Sequence, residues 1–237
     1  MGSVFKFKQF EVDQDGCAMK INTDGVILGA TAVHNSPKRL LDIGTGTGVI
    51  AMMLAQRFPD AFIDAVEIDE SAAIAATRNF EASAFNTRSV VYHSDINSYV
   101  TTSRYDLIVS NPPYFVNDLK NTEQRKTIAR HADETFFEAL LAKVAMLLNE
   151  DGSFWMILPV KQADFIVEKS LEYHLALHRQ INICSDERKP VIRKVVCLGK
   201  AANEKAQVVA ETFYIYEKEG VYTDAYKALL KDFFLAF

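Results

Sequence analysis

Residues 40–58 hold the arrangement that most restricts the fold. Leu40-Leu41-Asp42-Ile43 is a short apolar strand, and Gly44-Thr45-Gly46-Thr47-Gly48 follows at once. Ile50, Met53, Leu54 and Phe58 then fall on one helical face until Pro59 stops the helix. A strand, a glycine turn and a helix in this order make a βα unit. The glycines let the backbone turn tightly, and they let a ligand approach the helix N-terminus with no Cβ in the way. The spacing, Gly-x-Gly-x-Gly after Asp42, differs from the Gly-x-Gly-x-x-Gly of dinucleotide-binding enzymes.

The units that follow repeat the alternation. Residues 61–66 read as a second strand ending at Glu67, about 20 residues past the glycine turn. A carboxylate at that point suits both hydroxyls of a ribose, although an exposed surface carboxylate gives the same pattern. Asp69 and Glu70 favour the start of a helix over 70–82. A third strand, 89–93, is followed by Asp95, which would reach an adenine amino group or simply sit in a loop.

The fourth strand, 104–110, ends abruptly in Asn111-Pro112-Pro113-Tyr114. Proline cannot donate to a sheet ladder, so the strand stops there and faces an edge or a cleft. In an open α/β sheet the cleft beyond the strand ends is where ligands bind. The Asn111 side-chain oxygen and the Pro112 carbonyl can each accept one hydrogen of an exocyclic amine, and Tyr114 offers a face for stacking. Asn-Pro and Pro-Pro are also ordinary turn signals.

Further on, the polar stretch 115–131, with Lys120, Arg125, Lys126, Arg130 and His131, reads as a long loop at the active end of the sheet, a functional lid or a solvated connection. A helix is expected over 133–148, a strand over 153–159 and a helix over 161–173. Strands over 174–183 and 191–198, joined by a short loop, must run antiparallel. That loop region contains Arg188, Lys189, Arg193 and Lys194, the densest positive cluster of the chain. A strand over 207–216 and a helix from Asp224 complete the pattern. Ahead of the βα units, residues 4–12 alternate as a strand, 13–16 turn and 17–21 return as a partner; Thr23 and Asp24 offer caps for a helix from Val26 to Val33. The alternation implies a parallel α/β sheet. We expect a single domain over 1–237, with residues 1–36 an extension over one end of the sheet.

Composition excludes several classes. Three cysteines, Cys17, Cys184 and Cys197, lie far apart without Cys-x-x-Cys spacing, against a disulfide framework or a zinc site and in keeping with a cytoplasmic location. No apolar run approaches the roughly 20 residues of a membrane-spanning helix, and the N-terminus lacks a signal-peptide core. A net charge of −5 gives no global nucleic-acid signature, so any such role rests on local basic residues.

Taken together, Leu41-Asp42-Ile43-Gly44-Thr45-Gly46-Thr47-Gly48, Glu67 and Asn111-Pro112-Pro113-Tyr114 resemble the class I S-adenosylmethionine-dependent methyltransferases, in their amino-methylating branch. The leader, Phe5 to Phe10 and Cys17 to Val26, is similar to that of the bacterial enzymes that methylate N6 of adenosine 37 in valine tRNA; so are Arg130-His131 and the segment from Lys189 to Arg193. The resemblance implies a Rossmann-like, seven-stranded, mostly parallel sheet with a reversed last strand. It implies S-adenosylmethionine as cofactor, bound by Asp42, Gly44, Gly46, Gly48, Glu67, Asp95 and Asp24. Asn111, Pro112 and Tyr114 would act on the adenine, and Lys6, Lys8, Arg130, Lys189 and Arg193 would contact tRNA. No metal, no membrane and a monomer are expected. A release-factor glutamine N5-methyltransferase would use the same Asn-Pro-Pro-Tyr site, though that family has a helical domain before the glycine turn. A DNA adenine methyltransferase, a nicotinamide dehydrogenase and a non-catalytic RNA-binding module are the other readings.

Overall fold

The computed structural model describes residues 4–17, 19–113, 123–201, 208 and 210–237, with the side chains of 123–133 excepted. In chain order the elements are β1 (Val4–Lys6), β2 (Glu11–Asp13), α1 (Thr23–Thr31), β3 (Arg39–Ile43), α2 (Val49–Arg57), β4 (Phe62–Glu67) and α3 (Glu70–Ala82). Then come β5 (Ser89–His93), β6 (Tyr105–Ser110), α4 (Glu123–Leu147), β7 (Leu148–Leu158), α5 (Val160–Ser170) and β8 (Leu175–Cys184). The chain closes with β9 (Val191–Lys200), β10 (Ala210–Tyr214), β11 (Tyr216–Lys218), β12 (Val221–Tyr222) and α6 (Asp224–Leu230).

Eight strands form the central sheet in the order β10-β8-β9-β7-β6-β3-β4-β5. All neighbours are parallel except at β9, which runs antiparallel to both β7 and β8. The reversed strand is therefore where the sequence places it. The count differs from the seven that the resemblance implies, because β10 adds in parallel to the outer side of β8 and covers that edge.

The strands alternate between two cores, as period-2 geometry requires. Leu40, Leu107, Val109, Trp155 and Ile157 pack with α1, α2 and α6 on one face. Leu41, Ile43, Ile108, Phe154 and Met156 pack with α4 and α5 on the other. Arg88 locks the end of α2 by donating to the carbonyls of Ala55, Phe58 and Ala61, and Arg57 does the same for α1 at Gly29 and Ala32.

Three expectations need correction. Residues 123–131, expected in a loop, are helical, as part of α4. Its first turns are rich in good helix formers but have no apolar stripe, so periodicity does not reveal them. Residues 115–122 of that loop lie outside the described set. Secondly, residues 4–12 are not one strand, and Cys17 and 19–21 are not its partner strand. β1 pairs with β2 in a hairpin that turns at 7–10, with Phe7 N–H donating to the Phe10 carbonyl at 2.8 Å. The turn brings Phe7 and Phe10 into a stack 4.4 Å between centroids and places Phe7 against Phe234. Burial of two rings outweighs continuation of an exposed strand. Thirdly, the N-cap of α1 is Asn22, whose side chain accepts from Gly25 N–H at 2.8 Å; Thr23 and Asp24 lie inside the helix.

The leader is thus held by aromatic burial against the C-terminal segment. Truncating the buried Phe7 to alanine should lower stability by roughly 3 kcal/mol, read as a shift of the urea midpoint. A shift within error would mean that the hairpin contributes little to the fold.

Candidate active site

Four strand ends line up along the carboxyl edge of the parallel sheet. In spatial order they are those of β6, β3, β4 and β5, leading to Asn111, the glycine turn, Glu67 and Asp95. This is the edge where open α/β sheets bind ligands.

At the centre is Asp42, on β3 and fully buried. Its Oδ2 accepts from the Thr45 hydroxyl at 2.6 Å and from Ala51 N–H at 3.2 Å, so one oxygen braces both the turn and the first turn of α2. Its Oδ1 has no partner among the described residues. Burial pushes the carboxyl up to about 7, against the hydrogen bonds from Thr45 and Ala51 and with a further push from Glu67. Gly44, Gly46 and Gly48 have φ of +71°, +56° and +84°. Side chains rarely adopt these values, which is why the turn is built of glycine. A Cβ on Gly44 or Gly46 would meet nothing within 4 Å, whereas one on Gly48 would lie 2.7 Å from the Phe80 ring. The turn is therefore open above its first two glycines and packed at its third.

Glu67, buried at the end of β4, ties the turn to the next helix. Its Oε2 accepts from Gly46 N–H at 2.8 Å and its Oε1 from Asp69 N–H at 2.9 Å. Asp69 in turn caps α3 through Ala72 N–H. Each Glu67 oxygen keeps a second lone pair for a ligand hydroxyl. Asp95 shapes its own loop by accepting from Asn97 N–H at 3.0 Å.

On the other side, β6 pairs with β3 with Ser110 opposite Ile43, and the Ser110 hydroxyl donates to the Ile43 carbonyl at 2.9 Å. Asn111 and Gly44 therefore leave adjacent strands at the same level. Pro112 is buried and Pro113 exposed; Tyr114 lies outside the described residues. The first turn of α1 abuts Asn111: a Cβ on Gly25 would lie 3.7 Å from Asn111 Nδ2.

The remaining site residues divide. Asp24 accepts from Arg193 Nε at 2.8 Å, so the structure pairs a residue assigned to the cofactor with one assigned to RNA. Lys8 donates to the Lys231 carbonyl and, at 2.7 Å, to a Phe237 oxygen, which ties it to the C-terminal segment. Lys6 pairs with Glu11 at 2.8 Å on the exposed face of the hairpin. Lys189 is exposed in the β8–β9 loop, on the same edge as Asn111. Arg130 belongs to α4, in the stretch whose side chains are not described.

Sequence reasoning missed Asn79. Buried on α3, it donates from Nδ2 to the carbonyls of Thr47 and Asp13, each at 2.9 Å, and accepts from Asp13 N–H at 2.9 Å. One amide thus joins the glycine turn to the leader hairpin. The only sequence signal is a poor helix former inside an alanine-rich helix.

Among the described residues no group of three His, Cys, Asp or Glu could hold a metal ion. None of their helices is long and apolar enough to cross a membrane.

The family described as "Methyltransferase small domain" matches residues 20–184, which include the ends of β3, β4, β5 and β6. The chain belongs to that family. Among relatives, a protein of Pedobacter heparinus named tRNA1(Val) (adenine(37)-N6)-methyltransferase is 58% identical over 237 residues, all of both chains. One of the same name from Dyadobacter fermentans is 41% identical over 98% of each chain. A solved structure from Agrobacterium tumefaciens, given as a predicted O-methyltransferase, superposes with a TM-score of 0.66 at 17% identity, over 89% of this chain and 96% of that one. At that identity the last likeness speaks for the fold.

The methyl donor of such a methyltransferase is S-adenosylmethionine, and two features of the site suit it. Asp42 keeps an unpartnered carboxylate oxygen, and the space above Gly44 and Gly46 is clear.

Two measurements follow from this geometry. The folded-state value of Asp42 lies above its unfolded value near 4, so the folded protein holds the proton more tightly. That stabilisation is fully present below about pH 4 and is lost as pH rises through about 7. Asp42→Asn should therefore be more stable than the parent at about pH 8, by roughly 1–3 kcal/mol, with the difference shrinking toward about pH 5; a pH-independent difference would assign the titration elsewhere. Asn79→Ala should cost roughly 1–3 kcal/mol, because it leaves buried carbonyls unpaired. It should also weaken cofactor binding in calorimetry; intact binding would separate the hairpin from the turn.

Proposed function

We propose that this protein transfers the methyl group of S-adenosylmethionine to the exocyclic N6 of adenosine 37 in valine tRNA. The observation that carries the reading is the pairing of β3 with β6, which sets the Asn111-Pro112 acceptor groups level with the glycine turn. Relatives with the valine-tRNA name, two of them similar over essentially the whole chain as described above, support the substrate.

When bound, S-adenosylmethionine supplies a methyl group on a positive sulfonium, already activated for attack. Asp42, Gly44, Gly46, Gly48, Glu67 and Asp95 would hold it along the strand ends. The adenine N6 is a poor nucleophile because its lone pair is delocalised into the ring. The Asn111 side-chain oxygen and the Pro112 carbonyl each accept one N6 hydrogen, which favours a pyramidal nitrogen and aims its lone pair. Tyr114 would stack on the base. The proton left on nitrogen after transfer goes to water, so no residue need act as general base. A base in an anticodon loop must be turned out of its stack to reach this pocket.

For the RNA we assign Lys189, Lys6 and Arg130 to phosphate contact; Lys8 is already engaged by the C-terminal segment. The reading carries with it a monomeric, cytoplasmic enzyme of one domain over 1–237, without a catalytic metal, whose residues 1–36 lie against the cofactor end of the sheet.

The test is methyl transfer from labelled S-adenosylmethionine into unmodified valine tRNA transcript, followed by nucleoside analysis. Labelled N6-methyladenosine is expected, and its absence with the cofactor bound would overturn the reading. Asn111→Ala should keep cofactor affinity and lose roughly 10²–10³ in kcat. Lys189→Ala should weaken tRNA binding and reduce its salt slope by about 1; an unchanged slope would move the RNA footprint elsewhere.

A further inference from the structure

We propose that the Asp24–Arg193 ion pair is a positioning device that holds the first turn of α1 against Asn111, so that neither residue serves as a cofactor ligand or a phosphate contact. The inference rests on the proposed function, because it assigns a role within the acceptor pocket described there.

Arg193 lies on β9, the one reversed strand, three residues after the exposed basic loop ends at Pro190. Asp24 is 169 residues away in sequence, in the first turn of α1. Arg193 Nε donates to Asp24 Oδ2 at 2.8 Å, and Arg193 Nη1 donates to the Ile192 carbonyl at 2.9 Å, which fixes the plane of the guanidinium. The two side chains are 19% and 31% exposed, enough shelter to limit screening by salt. The residue after Asp24 is Gly25, whose Cα faces the Asn111 amide.

A chain of contacts therefore runs from the reversed strand, through Arg193 and Asp24, to the wall of the acceptor pocket. Asn111 is useful only if its oxygen points at the N6 hydrogen, and small misplacements of such a group are costly to the rate. An anchor on α1 limits the space into which the Asn111 amide can turn. Breaking the pair should leave the cofactor edge intact, since Asp42, Glu67 and the glycine turn make their hydrogen bonds without it.

The experiment is a double-mutant cycle with Asp24→Asn and Arg193→Gln on the full chain, assayed with valine tRNA transcript. Each single variant should lose about tenfold in kcat at saturating tRNA, keep its cofactor Kd within about twofold, and keep the parent's salt slope for tRNA binding. The double variant should be no worse than the poorer single. Hydrogen exchange at the amides of residues 22–28 should quicken in both singles, a readout that needs no substrate. Additive losses would overturn the proposal. So would a shallower salt slope in Arg193→Gln, which marks a phosphate contact, or a weakened cofactor Kd in Asp24→Asn. Unchanged protection at 22–28 would also overturn it. If the parent methylates no tRNA, the proposed function fails, while the exchange arm still decides whether the pair anchors α1.

Discussion

The buried carboxylate of Asp42 is the constraint on which this edge of the molecule depends. Two donors from different elements converge on its Oδ2, the Thr45 hydroxyl of the turn and the Ala51 N–H of α2. A carboxylate without water is costly unless hydrogen-bonded. The protein meets that requirement on one oxygen only, and burial raises the proton affinity of the group against those two hydrogen bonds, with a further push from Glu67. The same arrangement fixes the angle at which α2 leaves β3. Through Gly46 N–H it also fixes where Glu67 sits, and through Asp69 the start of α3.

Around that centre the two chain ends close the molecule. Phe7 bridges to Phe234, Lys8 N–H donates to the Phe233 carbonyl, and the Lys8 ammonium reaches the last turn after α6. Asn79 then links the hairpin to the glycine turn. A leader of short strands could not hold itself in place, since an isolated hairpin is marginal in water. Its order derives from rings buried against the C-terminal segment and from one amide shared with the turn.

Charge is unevenly distributed over the molecule. The net charge is −5, yet the loop between β8 and β9 exposes Arg188 and Lys189 on the same edge as Asn111. The reversal at β9 makes this possible, because it returns the chain across the carboxyl end of the sheet. Two parallel strands would have needed a crossover there, with no short loop on the edge that Asn111 occupies.

The sequence by itself determined the βα order, the glycine turn after Asp42, the carboxylates at the ends of β4 and β5, the stop after β6, and the antiparallel β8–β9 pair. Each of these is written in neighbouring residues: apolar periodicity, glycine where φ is positive, proline where a ladder must end, a loop too short for a crossover. Only the tertiary structure decided the rest. The hairpin turns at 7–10 because Phe7 and Phe10 find a burial site made by Phe234 and Phe85, distant in sequence. The eighth strand exists because β8 has an open edge. Asn79, a single amide in a helix, matters because register brings Thr47 and Asp13 to it. The resemblance gives Asp24 to the cofactor and Arg193 to the RNA, while the structure pairs them. Their pairing depends on where α1 and β9 meet, and residues so far apart leave no local pattern in the chain to announce it.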